Sequence, residues 1–309
     1  MILPATRPIR WGSIRKHREP CKRHRIKARA ARAGHLQRRI QDLIKHGHTY
    51  QVNYTFGSTA SFAGSARSLY RDLIAAQACG YGALIEAGEW TIASASPELF
   101  FEWSEGCILC RPMKGTAPRG LTTQSDEHQR LGLLASSKDQ AENVMIVDMV
   151  RNDLGRVAVI GSVETPALFS AEKYDTVWQL TSTVTARTRP DTSLVEVFRA
   201  LFPSASITGA PKVSTMRIIR DLESGPRGVY CGAIGFGGPG VDGTPEWAFN
   251  VAIRTVAVDE REGLAHYGTG GGITIDSTAA GEYREALLKT EVLNRRTADL
   301  RLLETMAWR

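Results

Sequence analysis

The stretch GALIEAGEWTIASASPELFFEWSEGCILCRPMKGT (residues 82–116) decides the fold class. It contains four short apolar segments with the residue pattern of β-strands, at 82–87, 90–95, 99–103 and 107–111. Turn residues lie at Gly88-Glu89 and at Ser104-Glu105-Gly106. Strands joined by such short turns pair antiparallel, because parallel neighbours need a long crossover connection. The stretch therefore predicts a run of antiparallel hairpins.

Helical patterns flank these hairpins on both sides. The predicted helices cover 35–46, 68–78, 126–136, 139–151, 192–201 and 211–222, and a last one runs to about residue 305. Asp276 or Ser277 can cap that last helix. Further strands are predicted at 50–56, 174–187, 229–237, 247–258 and 264–270. This order is neither strict strand–helix alternation nor all strand, so we predict an α+β fold with antiparallel sheets packed face to face and covered by helices.

The charge of the chain is unevenly distributed. Residues 1–45 carry 14 Lys and Arg against Glu19 and Asp42, whereas the remainder carries 25 basic and 30 acidic residues. A nucleic-acid enzyme is expected to have a basic body, and here only the tail is basic. We therefore expect residues 1–34 to be a solvated, disordered basic arm and residues 35–309 to be the folded domain. Binding of nucleic acid by the arm is the less favoured alternative.

The chain shows no sign of a membrane or secretory protein. No apolar run reaches the ~18 residues that a membrane-spanning helix needs, and the N-terminus lacks the apolar core of a signal peptide. The five cysteines are scattered, which is typical of a reducing compartment. We expect a cytoplasmic protein.

Several polar clusters interrupt the apolar segments. Singly, each has an ordinary explanation, because a helical Glu is usually solvated, a lone Lys usually lies at the surface and a Gly-rich turn is usually only a turn. The clusters and their neighbours are YQVN (50–53), SPE (96–98), MKGT (113–116), AEN through RNDLG (141–155), ITGAPK (207–212), YCGA (230–233), IRT (253–255), GGGI (270–273) and EYRE (282–285).

In this order the segments resemble the chorismate-utilising enzymes, a family that includes anthranilate, aminodeoxychorismate, isochorismate and salicylate synthases. The resemblance runs from about Leu36 to Leu300, so it covers most of the chain. It implies the anthranilate synthase component I-like fold and a chorismate-binding catalytic domain over 35–309. It also implies a Mg²⁺ ion that grips the ring carboxylate of chorismate and is held by Glu142 and Glu285, since magnesium prefers oxygen ligands.

The resemblance also implies how the rest of the substrate is bound. The enolpyruvyl carboxylate is expected to contact an arginine, a tyrosine and backbone N–H groups of a glycine loop, while a lysine and a threonine make further contacts. Arginine offers a planar fork to a carboxylate, and glycine lets the backbone approach closely. The matching residues are Arg254, Tyr230, Gly270, Gly272, Lys289 and Thr208.

Two residues match the catalytic positions of the family. Glu98 matches the general acid that protonates the departing C4 hydroxyl, a task for which burial must raise its pKa. Lys114 matches the lysine of the aminodeoxychorismate synthases, where anthranilate synthases carry Ala. In the proposed role its neutral amine attacks ring C2 and the C4 hydroxyl leaves, after which ammonia adds at C4 and expels the lysine. The alternative is that Lys114 only pairs with a substrate carboxylate.

Three other features bear on the reaction. Gln51 stands where isochorismate and salicylate synthases carry the Lys that activates water, which favours ammonia as the nucleophile. Gln179 stands where many amino-transferring members carry His. Family members also carry a substantial segment before residues 50–53 that completes both sheets, so we expect an N-terminally truncated version of the fold with exposed sheet edges.

The resemblance as a whole places the chain closest to aminodeoxychorismate synthase component I. It implies a transferase that aminates chorismate at C4 to 4-amino-4-deoxychorismate, for p-aminobenzoate and folate synthesis. The chain has no cysteine in a Gly-x-Cys-x-Gly setting, so we expect a glutamine amidotransferase partner to supply ammonia. Two alternatives remain: amination at C2, as in anthranilate synthase, and a non-catalytic truncated remnant whose basic arm binds nucleic acid or a partner.

Overall fold

The computed structural model describes residues 22–77, 79–175, 177–240 and 242–293, and for residues 22–33 and 291 it describes the backbone alone. Two 3₁₀ helices lie at Ala205–Ile207 and Glu291–Leu293. The α-helices of the described chain are α1 (Lys22–Lys45), α2 (Ala66–Gln77), α3 (Thr123–Ala135), α4 (Ser137–Leu154), α5 (Leu194–Leu201), α6 (Lys212–Leu222) and α7 (Ala279–Leu288).

The strands form two antiparallel sheets. They are β1 (Gln51–Ser61), β2 (Tyr81–Ala87), β3 (Trp90–Ser96), β4 (Leu99–Ser104), β5 (Cys107–Cys110), β6 (Met113–Pro118), β7 (Glu164–Lys173), β8 (Val177–Arg187), β9 (Gly209–Ala210), β10 (Ala233–Pro239), β11 (Pro245–Val251), β12 (Thr255–Asp259) and β13 (Leu264–Ile273). Within the described residues the first sheet has the order β2-β3-β12-β13-β1-β9. The second sheet has the order β10-β11-β4-β5-β8-β6, and β7 also pairs with β8. The prediction of an α+β fold with antiparallel sheets is confirmed.

Helices bury the sheets. Leu69 and Leu73 of α2 belong to one apolar core with Val256 and Val258 of the first sheet. A second, larger core joins α4 and α5 to the second sheet, and Phe101 there is fully buried. Burying a side chain of this size is worth roughly 1.5–3 kcal/mol, so these two cores dominate the stability of the domain.

Two of the connections between the sheets are short and are hydrogen bonded to each other. Residues 97–98 connect β3 of the first sheet to β4 of the second, and residues 252–254 connect β11 of the second sheet to β12 of the first. The N–H of Val251 donates to the carbonyl oxygen of Glu98 at 3.0 Å, and the N–H of Ala95 donates to that of Arg254 at 3.1 Å. These paired crossovers fix Glu98 and Arg254 near the junction of the sheets.

The prediction of a single strand over 247–258 is therefore wrong, because β11 ends at Val251 and β12 begins at Thr255. The predicted strand breaks at Arg254, whose φ of 51° lies in the left-handed region, where a side chain is uncommon. The predicted strand over 174–187 is shorter, since β8 begins at Val177. β7 was not predicted, because Pro166 and two register shifts interrupt its pattern.

The two ends of the described chain also differ from expectation. The expected disordered arm over 1–34 is helical from Lys22 onward, because Ala and Arg favour helix in this stretch; residues 1–21 lie outside the described residues. The last helix is capped by Thr278, not by Asp276 or Ser277, and ends at Leu288. The predicted continuation beyond residue 293 lies outside the described residues. Of the helices described, none combines the length and the apolar composition needed to cross a membrane.

Candidate active site

Glu98 lies at the first crossover, where its side chain is almost completely buried, with 4% exposed. Burial raises the pKa of the Glu98 carboxyl to about 7, although the Ser206 hydroxyl, the charge of Lys114 and the Met113 N–H all act to lower it. Its Oε1 has no hydrogen-bond partner among the described residues. Glu98 can therefore hold a proton near neutral pH and deliver it to a group in the site.

Arg254 lies at the second crossover and faces the same region. Burial lowers the pKa of its guanidinium, while the nearby Tyr267, Tyr174, Cys79 and Glu98 act in the opposite direction. Within the part of the chain that the structure describes, the guanidinium makes no hydrogen bond or salt bridge. A buried, unpaired guanidinium fork is suited to binding a carboxylate.

Lys114 is presented by an irregular section of β6. The pairing of β6 with β8 shifts register between Met113 and Thr116, and Gly115 in between has a φ of 100°. The Asn143 side chain of α4 donates to the Lys114 carbonyl at 3.2 Å, and Ser182 in turn donates to Asn143 at 2.6 Å. This bulge and its two supports direct Lys114 out of the regular strand.

The amine of Lys114 lies between Glu142 and β13. Its Nζ is 3.7 Å from Glu142 Oε2, and only 14% of the side chain is exposed. A β-carbon built on Gly272 would lie 2.5 Å from Lys114 Nζ and 2.6 Å from Gln51 Nε2. Gln51 is fully buried, and neither its amide nitrogen nor its amide oxygen has a partner among the described residues. The structure thus brings Lys114, Gln51 and Gly272 together.

Gln179, which replaces the family's His, supports the segment that carries Lys114. Its Nε2 donates to the Gly115 carbonyl at 2.9 Å, and its Oε1 accepts from the Thr116 hydroxyl at 3.1 Å. Both amide groups are therefore used to hold the backbone beside Lys114, and Gln179 braces this segment by hydrogen bonding alone.

α7 places two carboxylates, and its C-cap residue Lys289 places an amine, against the side of β13 that Gly271 faces. Lys289 Nζ is 2.8 Å from Glu285 Oε1 and donates to the Gly270 carbonyl at 2.8 Å. A β-carbon on Gly271 would lie 3.2 Å from Glu282 Oε2 and 3.7 Å from Glu285 Oε1. Gly270 and Gly271 are thus the surface on which this polar face of α7 rests.

The two carboxylates of this face have pKa values shifted in opposite directions. Burial and the like charge of Glu285 raise the pKa of Glu282. Burial also acts to raise the pKa of Glu285, but Lys289 and Lys114 outweigh it and the pKa is lowered. Among the described residues no group of three or more His, Cys, Asp and Glu could by itself hold a metal ion. Glu142 Oε2 lies 3.7 Å from Lys114 Nζ and Glu285 Oε1 lies 2.8 Å from Lys289 Nζ, so each of the two donors predicted for Mg²⁺ has a lysine beside it.

Thr208 and Tyr230 lie to one side of this centre. They line a groove of 710 Å³ whose walls do not include Glu98 or Lys114. The Thr208 hydroxyl donates to the Ser204 carbonyl at 2.9 Å, and the Tyr230 ring occupies the space over Gly268. Of the six predicted substrate-binding residues, Thr208 and Tyr230 line this groove. A larger groove, of 1060 Å³, runs along α4 and also lacks Glu98 and Lys114.

Three residues of the site were not predicted. Ser206 contacts the Glu98 carboxyl, and Asn143 donates to the Lys114 carbonyl. Arg227 donates to the carbonyls of Ile207 and Asn53 at 2.7 Å each. Asn143 directly follows Glu142 in the segment 141–155 that resembles the family. Glu223 and Arg227 are four residues apart, a spacing that favours an ion pair, and they form a buried one at 2.7 Å. This spacing was the signal in the sequence that could have identified Arg227.

Comparison with known proteins decides the family. The sequence model of the chorismate binding enzyme family matches residues 22–295 of this chain. The chain belongs to the chorismate binding enzyme family. The resemblance predicted from the sequence is confirmed, and the motifs that carried it include residues of β1, β6, β9, β13, α4, α7 and the paired crossovers.

Curated relatives agree with this assignment. The chain is 42% identical over 266 residues to an aminodeoxychorismate synthase from Streptomyces griseus, covering 86% of this chain and 35% of the relative. It is 41% identical over 256 residues to aminodeoxychorismate synthase component 1 from Klebsiella aerogenes, covering 83% of this chain and 55% of that protein. The chain thus spans about half the length of the component 1 relative and about a third of the Streptomyces one.

A solved structure supports the fold. Anthranilate synthase component I from Streptococcus pneumoniae superposes with a TM-score of 0.77 at 30% identity, covering 86% of this chain and 58% of the other. The predicted anthranilate synthase component I-like fold is therefore confirmed.

Proposed function

We propose that this protein binds chorismate and replaces its C4 hydroxyl by an amino group from ammonia, forming 4-amino-4-deoxychorismate for p-aminobenzoate and folate synthesis. The observation that carries the proposal is the closeness of Lys114 to Glu98, a buried acid: burial raises the pKa of Glu98 to about 7, although the nearby charge of Lys114 acts to lower it. The relatives named aminodeoxychorismate synthase support the same choice. The catalytic domain in this proposal comprises residues 35–309.

In the proposed reaction the neutral Lys114 amine forms a bond to ring C2. The ring double bond shifts towards C4, and the C4–O bond breaks as Glu98 gives its proton to the departing hydroxide, which leaves as water. Ammonia then forms a bond to C4 and keeps its three hydrogens as an ammonium group of the product, the double bond returns, and the C2–N bond breaks with its electron pair on Lys114. The lysine is thereby regenerated as a neutral amine, while Glu98 is left as a carboxylate.

The remaining side chains bind and orient the substrate. Arg254, with its unpaired guanidinium, is assigned to the enolpyruvyl carboxylate. Gln51 lies beside Lys114 and has no basic group, so it cannot deprotonate water for attack on the ring. Tyr230, Thr208, Gly270, Gly272 and Lys289 remain the proposed further substrate contacts, of which Lys289 and Gly270 are already hydrogen bonded to each other.

The carboxylates of Glu142 and Glu285 would hold Mg²⁺. Oxygen donors are what this ion prefers. When bound, the ion neutralises the ring carboxylate of chorismate and fixes the substrate's orientation.

We assign the supply of ammonia to a glutamine amidotransferase subunit, because the component 1 name of the Klebsiella relative indicates a second component there. We place both proteins in the cytoplasm. The two alternative functions make different predictions: the anthranilate-type reaction releases fluorescent anthranilate, and a non-catalytic remnant releases no product.

The test is incubation of the purified protein with chorismate, Mg²⁺ and ammonium, followed by an aminodeoxychorismate lyase. We expect p-aminobenzoate from the wild type and none from Lys114→Ala. The matched control is Lys138→Ala, which also removes a lysine beside Glu142 but one whose side chain is 59% exposed. Anthranilate in place of p-aminobenzoate, or no product from folded, magnesium-loaded protein, would overturn the proposal.

A further inference from the structure

The proposed reaction leaves Glu98 without its proton. The side chain is buried in the crossover between β3 and β4, and only 4% of it is exposed. A carboxylate in such a place has little direct access to water, so the proton must return through a neighbouring group before the next turnover. The need to return this proton rests on the proposed function, but the groups around Glu98 can be identified from the structure.

Four groups face the Glu98 carboxyl. Lys114 comes from β6, Arg254 from the β11–β12 crossover, the Met113 N–H from the start of β6, and the Ser206 hydroxyl from the 3₁₀ helix. Arg254 does not lose its proton at any ordinary pH, and a backbone N–H cannot do so either. Lys114 is the nucleophile of the reaction. Ser206 is the remaining group, and a hydroxyl can accept one proton while it donates another.

Ser96 is close by but is already occupied. Its hydroxyl donates to the Val251 carbonyl at 2.6 Å and accepts from the Glu98 N–H at 3.2 Å. These bonds hold the two crossovers together. The Ser96 hydroxyl therefore serves the backbone rather than the carboxyl.

Ser206 is linked to a second hydroxyl that reaches the surface. Ser206 is 7% exposed, and its Oγ lies 3.0 Å from the Oγ of Ser204, which is only partly buried. Ser204 is the N-cap residue of the 3₁₀ helix, yet its side chain makes no capping hydrogen bond. Serine at such a position ordinarily caps the helix, so its hydroxyl is used here in a different way.

We propose that Ser206 is a positioning residue for the Glu98 carboxyl and that Ser204 and Ser206 form a hydroxyl relay that returns the proton from water to Glu98. In the return step the Glu98 carboxylate takes the Ser206 hydroxyl proton as Ser206 takes that of Ser204. Ser204 then takes a proton from water. The two hydroxyls end as they began, and the net change is one proton moved from solvent to Glu98.

The first test follows the protonation of Glu98 itself. The Glu98 carboxyl is titrated by infrared difference spectroscopy, with Glu98→Gln subtracted as the reference. Ser206→Ala removes a hydrogen bond to the carboxylate, so the midpoint should rise, whereas Ser206→Thr keeps the hydroxyl and should restore the wild-type midpoint. Ser204→Ala should leave it unchanged, because Ser204 does not contact the carboxyl.

The second test separates the relay from positioning. Ser204→Ala should lower kcat roughly tenfold at an unchanged KM, and a small acidic buffer molecule should restore part of the loss. The matched control is Ser214→Ala, which also removes one serine hydrogen bond, to the His48 carbonyl at 2.7 Å, on the exposed side of α6. That variant should keep the wild-type kcat.

The outcomes are distinct. An unchanged infrared midpoint in Ser206→Ala would overturn the positioning role, and a wild-type kcat in Ser204→Ala would overturn the relay. If Ser206→Ala does not fold, Ser206→Cys, which has a weaker donor of similar size, is used for the same titration. A shifted midpoint in a protein that makes no product from chorismate would support Ser206 as the positioning residue and would count against the proposed function instead.

Discussion

Lys114 approaches Gly272 so closely that a β-carbon on residue 272 would lie 2.5 Å from its Nζ. The residues are far apart in the sequence, on β6 of the second sheet and β13 of the first. The absence of a side chain at residue 272 is therefore what lets the amine reach across the junction of the sheets. Gln51 uses the same space, since its Nε2 would be 2.6 Å from that β-carbon.

Gly272→Ala should lower kcat about ten- to a hundredfold, because the methyl group displaces the Lys114 amine from the reacting carbon. The free energy of unfolding should change little, since the neighbouring atoms are the ends of flexible side chains. Gly57→Ala is the control, because Gly57 also lies in the β1–β13 pair and a β-carbon added there would have nothing within 4 Å. A wild-type kcat in Gly272→Ala would contradict the placement of Lys114.

Glu98 should make stability depend on pH in a defined direction. Its pKa in the folded protein is about 7, above the ordinary value of 4.5. Between these values the folded protein binds more protons than the unfolded chain, so the free energy of unfolding falls as the pH rises through this window. Glu98→Gln removes this cost and should be more stable than the wild type by up to about 3 kcal/mol at pH 8.

The measurement is urea unfolding of both proteins at pH 4.5 and pH 8. The difference should be small at pH 4.5, because there Glu98 is protonated in the folded protein and about half protonated in the unfolded chain. Glu102→Gln serves as the control, because Glu102 is exposed on the adjoining strand β4 and its charge stays hydrated. An equal difference at both pH values would mean that Glu98 is not a buried acid.

The ion pair of Asp153 and Lys212 should be a strong determinant of stability. Lys212 Nζ is 2.5 Å from Asp153 Oδ2 and 2.8 Å from the Leu201 carbonyl, and 6% of the Asp153 side chain is exposed. Lys212→Ala leaves the buried Asp153 carboxylate without its ion-pair partner and should cost about 3–5 kcal/mol in urea unfolding.

The matched control for Lys212 is Arg151→Ala. Arg151 also pairs with an aspartate of α4, at 2.9 Å, but both side chains are at least half exposed. That pair should contribute no more than about 1 kcal/mol. Equal effects of the two substitutions would contradict the view that burial sets the difference.

Magnesium binding gives a readout that does not depend on turnover. Glu142→Gln and Glu285→Gln should each weaken Mg²⁺ binding at least about tenfold in calorimetric titration, because each removes a charged oxygen donor. Glu127→Gln is the control, since Glu127 pairs with Arg130 on the exposed side of α3. Unchanged affinity in both site variants would place the ion elsewhere.

The sequence predicted the hairpins of residues 82–111 because alternating residues and turn residues act locally. It did not predict that Arg254 breaks a strand, since the break depends on where β12 must join the first sheet. Lys114 and Glu98 were found through motifs that several enzymes share. The role of Ser206 was not predicted, because one small polar residue in a single-turn 3₁₀ helix has no periodic pattern and acts only through the groups that tertiary packing places beside it.

The paired crossovers have a consequence for how such a site can change over time. The hydrogen bonds from Val251 to Glu98 and from Ala95 to Arg254 use main-chain atoms, which substitution of the acid or the cation leaves in place. Exchange of either side chain therefore preserves the junction between the sheets. New reactions can arise here by replacing single side chains on a constant frame, without any need to refold the scaffold.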